Sequence, residues 1–252
     1  MKKQKLYLII GSVLALLCAI CIIFAVITGR KTEIPGVENT VKPVATTLSE
    51  AITQTAKYQS PVDFENIRKD SPDVFSWIKI DGTDIDYPVA FHEGDNSYYL
   101  RRDVYGNYNR NGTLFIEDYN STDFNDPVTI IYGHHMSSGA MFGKLQQIYT
   151  NPETFRKHQK ITVYTPENEL EYRVFCAAPL DNSHILYYND FNNKSEFEQF
   201  FQKVYSTRSL ISVFDETVSV TPDDRVLMLS TCFETDYSRR YVVMAVCEED
   251  IG

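Results

Sequence analysis

Residues 6–28, LYLIIGSVLALLCAICIIFAVIT, form a run of 23 positions without a charged side chain. At 1.5 Å rise per residue such a helix is roughly 34 Å long, enough to cross a hydrocarbon core of about 30 Å. A cleaved secretion signal has a shorter apolar core, about 7–15 residues, followed by a small-residue cleavage site. No A-x-A pattern follows here, so the run predicts a retained anchor. Lys2, Lys3 and Lys5 precede it, while Arg30 and Lys31 follow. The positive excess lies on the N-terminal side, which predicts a cytoplasmic N-terminus and an extracytoplasmic remainder. No second run of this length occurs. The predicted layout is a cytoplasmic tail (1–5), a single transmembrane anchor (6–28), a stalk (29–46) and one large domain (47–252). The stalk reading rests on the lack of periodicity in 29–46 and on Pro35, Gly36 and Pro43.

Beyond the anchor the chain is acidic. Residues 31–252 hold 20 basic side chains against 34 acids, a net of −14. Such a surface repels nucleic-acid phosphates and argues against a DNA or RNA partner. Of the five cysteines, Cys18 and Cys21 lie in the apolar run. The other three, Cys176, Cys232 and Cys247, are an odd number, so at least one thiol outside the membrane lacks a partner within the chain. Cys176 and Cys247 sit in apolar strand patterns and are expected to be buried, unreactive thiols, with a disulfide between them as the alternative.

The patterning of the large domain is mainly that of strands. Thr47 and Glu50 suggest a capped helix to about Tyr58, and Pro61 and Asp63 a second short helix through Asp70. Strands are predicted at 75–80 and 85–90 around an Asp81-Gly82 turn, then at 113–117, 128–132, 161–164 and 171–178. Met141, Phe142, Leu145, Ile148 and Tyr149 recur at helical spacing. Ser195 and Glu198 suggest a capping box ahead of a helix with Phe197, Phe200, Phe201, Val204 and Tyr205 on one face. Two almost continuously apolar strands, 225–231 and 241–247, close the chain and should be buried on both faces. About eight strands with a few helices predict a mostly β (α+β) barrel or sandwich.

The chemistry concentrates at three places. Cys232 ends the strand 225–231, and a polar loop, 233–239, separates it from Arg240 at the start of the last strand. If the two strands pair antiparallel, thiol and guanidinium come within reach. A cation beside a cysteine favours the nucleophilic thiolate, and guanidinium donors suit a developing oxyanion. His134 and His135 follow the strand 128–132 after Gly133. In an extended chain their rings point to opposite faces, so only one reaches a given thiol. A Cys–His pair serves acyl transfer through a thioester. The remaining histidines, His92, His158 and His184, are isolated, and no metal-ligand spacing is present.

Leu229-Ser230-Thr231-Cys232 resembles the TLxTC active-site motif of sortases, the cysteine transpeptidases of Gram-positive bacterial surfaces. Ile131-Tyr132-Gly133-His134-His135-Met136 resembles the histidine segment of the class B members. Trp77-Ile78-Lys79-Ile80 with Ile85-Asp86-Tyr87-Pro88 resembles their early strand pair. The similarity spans roughly residues 48–248, with Met228 standing where the motif usually has Thr. The resemblance implies an eight-stranded sortase-type β-barrel with N-terminal helices and a helix before the cysteine strand. It implies Cys232 as nucleophile, His134 as the histidine and Arg240, rather than Arg239, as the arginine. Asn96, Leu100 and Ser230 match positions that hold the sorting peptide. The implied partners are surface proteins with a C-terminal sorting signal, NPxTx-like or related, and an amine of a lipid II-like cell-wall precursor. No metal or organic cofactor is implied. The expected location is the cell membrane, single-pass, with the catalytic domain extracellular. Two other readings stay open: a secreted-face cysteine peptidase in which water takes the acyl group, and a non-enzymatic anchored adhesion or binding domain.

Overall fold

The two apolar stretches near the carboxyl end pair with each other, and the rest of the sheet is laid out on either side of them. The computed structural model describes residues 58–207, 209–233, 236 and 238–252. The predicted anchor, stalk and first capped helix lie outside the described residues, except for Tyr58, which is not helical. Among the described residues no helix is long and apolar enough to cross a membrane.

Nine strands are present among the described residues: β1 (Val74–Lys79), β2 (Asp86–Ala90), β3 (Leu114–Phe115), β4 (Val128–Tyr132), β5 (Lys160–Tyr164), β6 (Glu169–Asp181), β7 (Val213–Phe214), β8 (Val226–Cys232) and β9 (Arg239–Ile251). They pair in the order β5-β1-β2-β3-β4-β8-β9-β6, and β6 returns to β5. Eight strands therefore close into a barrel, which removes the open edges that an unclosed sheet would expose. β7 is an additional short strand on β6 at Cys176 and Ala177. β1 and β2 are antiparallel, as the Asp81-Gly82 turn predicts, with Gly82 at φ +75°. The pairings β2–β3 and β4–β8 are parallel.

β8 and β9 are buried on both faces because two layers meet there. Leu227, Leu229, Tyr241, Val243 and Ala245 join the barrel interior. The alternate residues Val226, Met228, Val242, Met244 and Val246 join an outer cluster with Phe197, Phe201 and Val204. Those three lie on α5 (Lys194–Ser206), the helix in the connection before the cysteine strand. Its cap differs from the predicted capping box. Asn193, not Ser195, accepts hydrogen bonds from Ser195 N and Glu196 N, so the helix begins earlier. Asparagine satisfies those two free donors at least as well as serine.

The other helices are α1 (Phe64–Asp70), α2 (Leu145–Tyr149), α3 (Pro152–Lys157) and α4 (Ile185–Tyr188). Asp63 caps α1 through Asn66 N, 3.0 Å away. α2 is shorter than its apolar spacing predicts. Met141 has φ +53°, and Phe142 N donates to His134 O at 3.1 Å, so both sit in the preceding loop. α3 carries no apolar periodicity. Its signal is Asn151 as cap with Pro152 behind it.

Candidate active site

Strand register brings three distant residues side by side. β4 and β8 run parallel with Tyr132 opposite Ser230. The ladder continues for one bond beyond the strand, Gly133 N donating to Ser230 O at 3.1 Å. His134 and Cys232 are each two residues further along, on the same face as Tyr132 and Ser230. β9 returns antiparallel with Arg240 directly opposite Cys232. His134, Cys232 and Arg240 thus occupy neighbouring positions on three adjacent strands. They lie on the outer face of the barrel wall, beyond the part covered by α5. All three, with Asn96, Leu100 and Ser230, line one cleft of about 380 Å³.

Within it Arg240 Nη1 donates to Cys232 Sγ at 2.9 Å. A guanidinium in that position stabilises negative charge on the sulfur. Arg239 is the first residue of β9 rather than the last of the loop, since it pairs with Asp181. Its side chain is exposed and reaches Asp236 at 3.4 Å, so the alternation of the strand sends it away from the thiol. His134 Nε2 lies 2.6 Å from Leu100 O. A carbonyl only accepts, so Nε2 carries the proton and Nδ1 is the ring nitrogen left for exchange. Leu100 is held by the short 3-10 turn Tyr98–Arg101.

Gly133 fixes where His134 emerges. A Cβ there would lie 2.4 Å from Leu114 Cδ2 and 2.6 Å from Phe142 Cδ2. His135 takes the opposite side of the chain, bridges Met141 and lines a separate depression with Met136 and Lys144. Asn96 is bonded at both ends of its amide to Asp118, which donates through its N at 2.9 Å and accepts at Oδ1 at 2.6 Å. One N–H and one lone pair of that amide are left over. Ser230 is nearly buried between β4 and β9.

A profile of the Sortase domain matches residues 78–248, most of the described chain. This chain belongs to the sortase family. Sortase B of Staphylococcus aureus is 30% identical over 194 residues, covering 75% of this chain and 77% of that one. Sortase B of Listeria monocytogenes is 30% identical over 183 residues, 72% of each. The solved sortase B–substrate complex of Staphylococcus aureus superposes with a TM-score of 0.66 at 27% identity, covering 81% of this chain and 90% of that one. The similarity is thus to class B sortases, and the chain is a sortase-type cysteine transpeptidase.

The sortase cleft contains groups that sequence reasoning passed over. His184 lines it, although it looks isolated in the sequence, and so does Glu117, predicted only as a strand residue. The two face each other, His184 Nε2 to Glu117 Oε2 at 2.6 Å. They are 67 positions apart, and no local pattern links them. Tyr132 also lines the cleft. Its burial, reinforced by the nearby Glu117 carboxylate, pushes its phenol well above the usual tyrosine range. Among the described residues, no group of three or more His, Cys, Asp or Glu is placed to hold a metal ion.

All three described cysteines are free. Cys176 is buried, and burial pushes its thiol up. Cys247 departs from the prediction. It is only half-buried, with Arg225 Nη2 donating to its Sγ at 3.3 Å, because β9 outruns the core near this point.

Proposed function

We propose that this sortase cleaves the C-terminal sorting signal of a surface protein at an NPxTx-like motif and joins the new threonyl carboxyl to an amine of a lipid II-like cell-wall precursor. Cys232 Sγ attacks the threonine carbonyl carbon, forming the C–S bond and a tetrahedral oxyanion that Arg240 stabilises. The proton of the Cys232 thiol, taken up by His134 Nδ1 as the sulfur attacks, passes from Nδ1 to the departing amine as the C–N bond breaks, leaving a thioester and a neutral His134. The precursor amine then attacks that carbonyl and forms the new C–N bond, its proton passes to His134 Nδ1, and the C–S bond breaks, the sulfur taking that proton back as the free thiol. Asn96, Leu100 and Ser230 hold the peptide. The observation that carries the reading is the Arg240 Nη1–Cys232 Sγ contact of 2.9 Å in the cleft that His134 also lines.

The enzyme works from the membrane. Residues 6–28 anchor it, 1–5 lie in the cytoplasm, 29–46 are the stalk and 47–252 act outside the cell. The uncharged run and its basic N-terminal flank support this. Anchoring puts enzyme, substrate and precursor at one membrane face and raises their effective concentration.

The test incubates the full chain in detergent with a library of sorting peptides, with and without an added amine, and identifies products by mass spectrometry. Amine-joined threonyl products are expected. Hydrolysis alone in the presence of excess amine would make the chain a peptidase. No turnover of any peptide would make it a binding domain.

A further inference from the structure

We propose that Asp73 is a positioning residue for His134. It fixes the 3-10 turn Tyr98–Arg101, and through that turn the Leu100 carbonyl that holds the histidine ring in its reactive tautomer. The inference rests on the transpeptidase reading of this cleft.

Asp73 stands between α1 and β1 and is not among the residues that line the cleft. Its backbone is tied to the chain that leads to the turn, Phe91 N donating to Asp73 O at 2.9 Å. Its carboxylate gathers two side chains on one oxygen. The Tyr99 hydroxyl donates to Oδ2 at 3.0 Å, and His92 Nδ1 lies 2.6 Å from the same atom. A carboxylate oxygen accepts, so Nδ1 carries the proton in that bond. Burial, and then the Asp73 carboxylate, push the Tyr99 phenol well above the usual tyrosine range, so it stays a donor. His92 in turn stacks on Tyr98, with 3.8 Å between centroids and 13° between planes. The Arg102 guanidinium also lies over the Tyr98 ring, at 4.3 Å, and its Nη1 donates to Tyr98 O at 3.1 Å. Asp73 thus holds Tyr99 directly and Tyr98 through His92, the first two residues of the turn.

Apolar packing holds the turn as well. The Tyr99 ring is buried with Ala90 and Phe115, and Thr113 N donates to Tyr99 O at 3.0 Å. Apolar burial is non-directional, however, whereas a hydrogen bond at the hydroxyl fixes where the ring points. The next carbonyl along is Leu100 O, 2.6 Å from His134 Nε2. The chain behind that carbonyl is close, since a Cβ on Gly112 would lie 2.8 Å from Leu100 O. A shift of the turn therefore moves the acceptor of the His134 ring proton. The ring is then free to take its other tautomer or to turn away from Cys232.

The test uses the full chain in detergent with isotope-labelled histidine. It compares Asp73→Ala, Asp73→Asn, Tyr99→Phe and the Asp73→Ala/Tyr99→Phe double variant. Peptide kcat and KM are read beside the ring-nitrogen magnetic resonances of His134, assigned by their loss in His134→Ala. With the ring neutral, the wild type should show a protonated Nε2 and an unprotonated Nδ1 as well-separated signals. In Asp73→Ala the two should draw together, the signature of exchanging tautomers. Its kcat should fall on the order of 10–100-fold, the cost of misplacing a reacting group by about an ångström, with KM changing less. Tyr99→Phe removes one hydroxyl and keeps the buried ring, so it should move both readouts the same way even where Asp73→Ala loosens the barrel. The double variant should be no worse than Asp73→Ala, because the two residues act as one unit. Asp73→Asn should stay close to wild type, since its amide oxygen still accepts. Separated signals and wild-type kcat in Asp73→Ala and Tyr99→Phe would overturn the proposal. So would a fall in kcat with the His134 signals unchanged, a rise in KM alone, or an Asp73→Asn variant as damaged as Asp73→Ala. Failure of the wild type to turn over any peptide would contradict the transpeptidase reading instead, and the His134 signals would still decide the positioning.

Discussion

Cys232 has a guanidinium on one neighbouring strand and an imidazole on the other, and alternation along each strand decides which of two adjacent candidates arrives. His134 and Arg240 face the thiol's cleft, whereas His135 and Arg239 do not. Arg240→Lys keeps the charge but loses the fork of donors, and turnover should fall on the order of 100–1,000-fold, as for a lost oxyanion donor. His134→Ala should be comparably severe. His135→Ala and Arg239→Ala should keep most activity in the same peptide-cleavage assay. An inactive Arg239→Ala beside an active Arg240→Ala would mean that the β8–β9 register is off by one. This choice of residues was legible because it needs only period-two alternation. The Glu117–His184 contact was not, since it depends on where a loop folds back. The half-exposure of Cys247 was also hidden, because it follows from how far β9 extends past the core rather than from local hydrophobicity.

Single strands and their ends do the positioning. β4 matches its predicted span of 128–132, and the apolar spans of β8 and β9 were read nearly to their ends. β6 and β9 run on to 13 residues each, since their ends pair with each other beyond the apolar stretches, and the extension of β6 also buries Leu170. The parallel partnership of β4 and β8, which puts His134 beside Cys232, has no signature in either strand alone. Its hinge is Gly133, pressed between Leu114 and Phe142. Gly133→Ala must displace one of those side chains or the His134 backbone. We expect peptide turnover to fall at least tenfold, with a loss of about 1–3 kcal/mol from overpacking. A Gly133→Ala enzyme of normal activity and melting temperature would show that the wall has slack there. The same reasoning explains the α2 discrepancy. Phe142 fits the helical spacing, yet its place over Gly133 keeps it in the loop.

Barrel closure is the property of the molecule as a whole, and the predicted choice between barrel and sandwich is settled by β5 pairing with both β1 and β6. Next to that seam, Asp215 ties the β7 segment down. It receives Arg173 Nη2 at 2.7 Å and Gln159 Nε2 at 2.9 Å, and Asp215 N donates to Phe175 O. The Thr217 hydroxyl, then Gln159 and Arg173, hold its carboxyl well below the usual range. A depressed folded-state value means that its stabilisation is complete above the unfolded carboxyl value of about 3.9 and is lost as pH falls below it. Asp215→Asn should therefore lower stability at neutral pH by about 1 kcal/mol, discounted for its exposed partner. The gap to wild type should narrow in denaturant titrations taken progressively below about pH 4. A constant gap down to pH 2 would remove the charge from the explanation. What the assembled barrel is for is acyl transfer through one sulfur, and that has a direct readout. Wild-type chain is mixed with a cleavable sorting peptide, quenched in acid without any amine and weighed intact. We expect a mass increase equal to the peptide up to its threonine, mapped to Cys232, discharged by added amine and absent in Cys232→Ala. Amine-joined product formed at wild-type rate by Cys232→Ala, or an adduct carried on Cys176 or Cys247 instead, would contradict it.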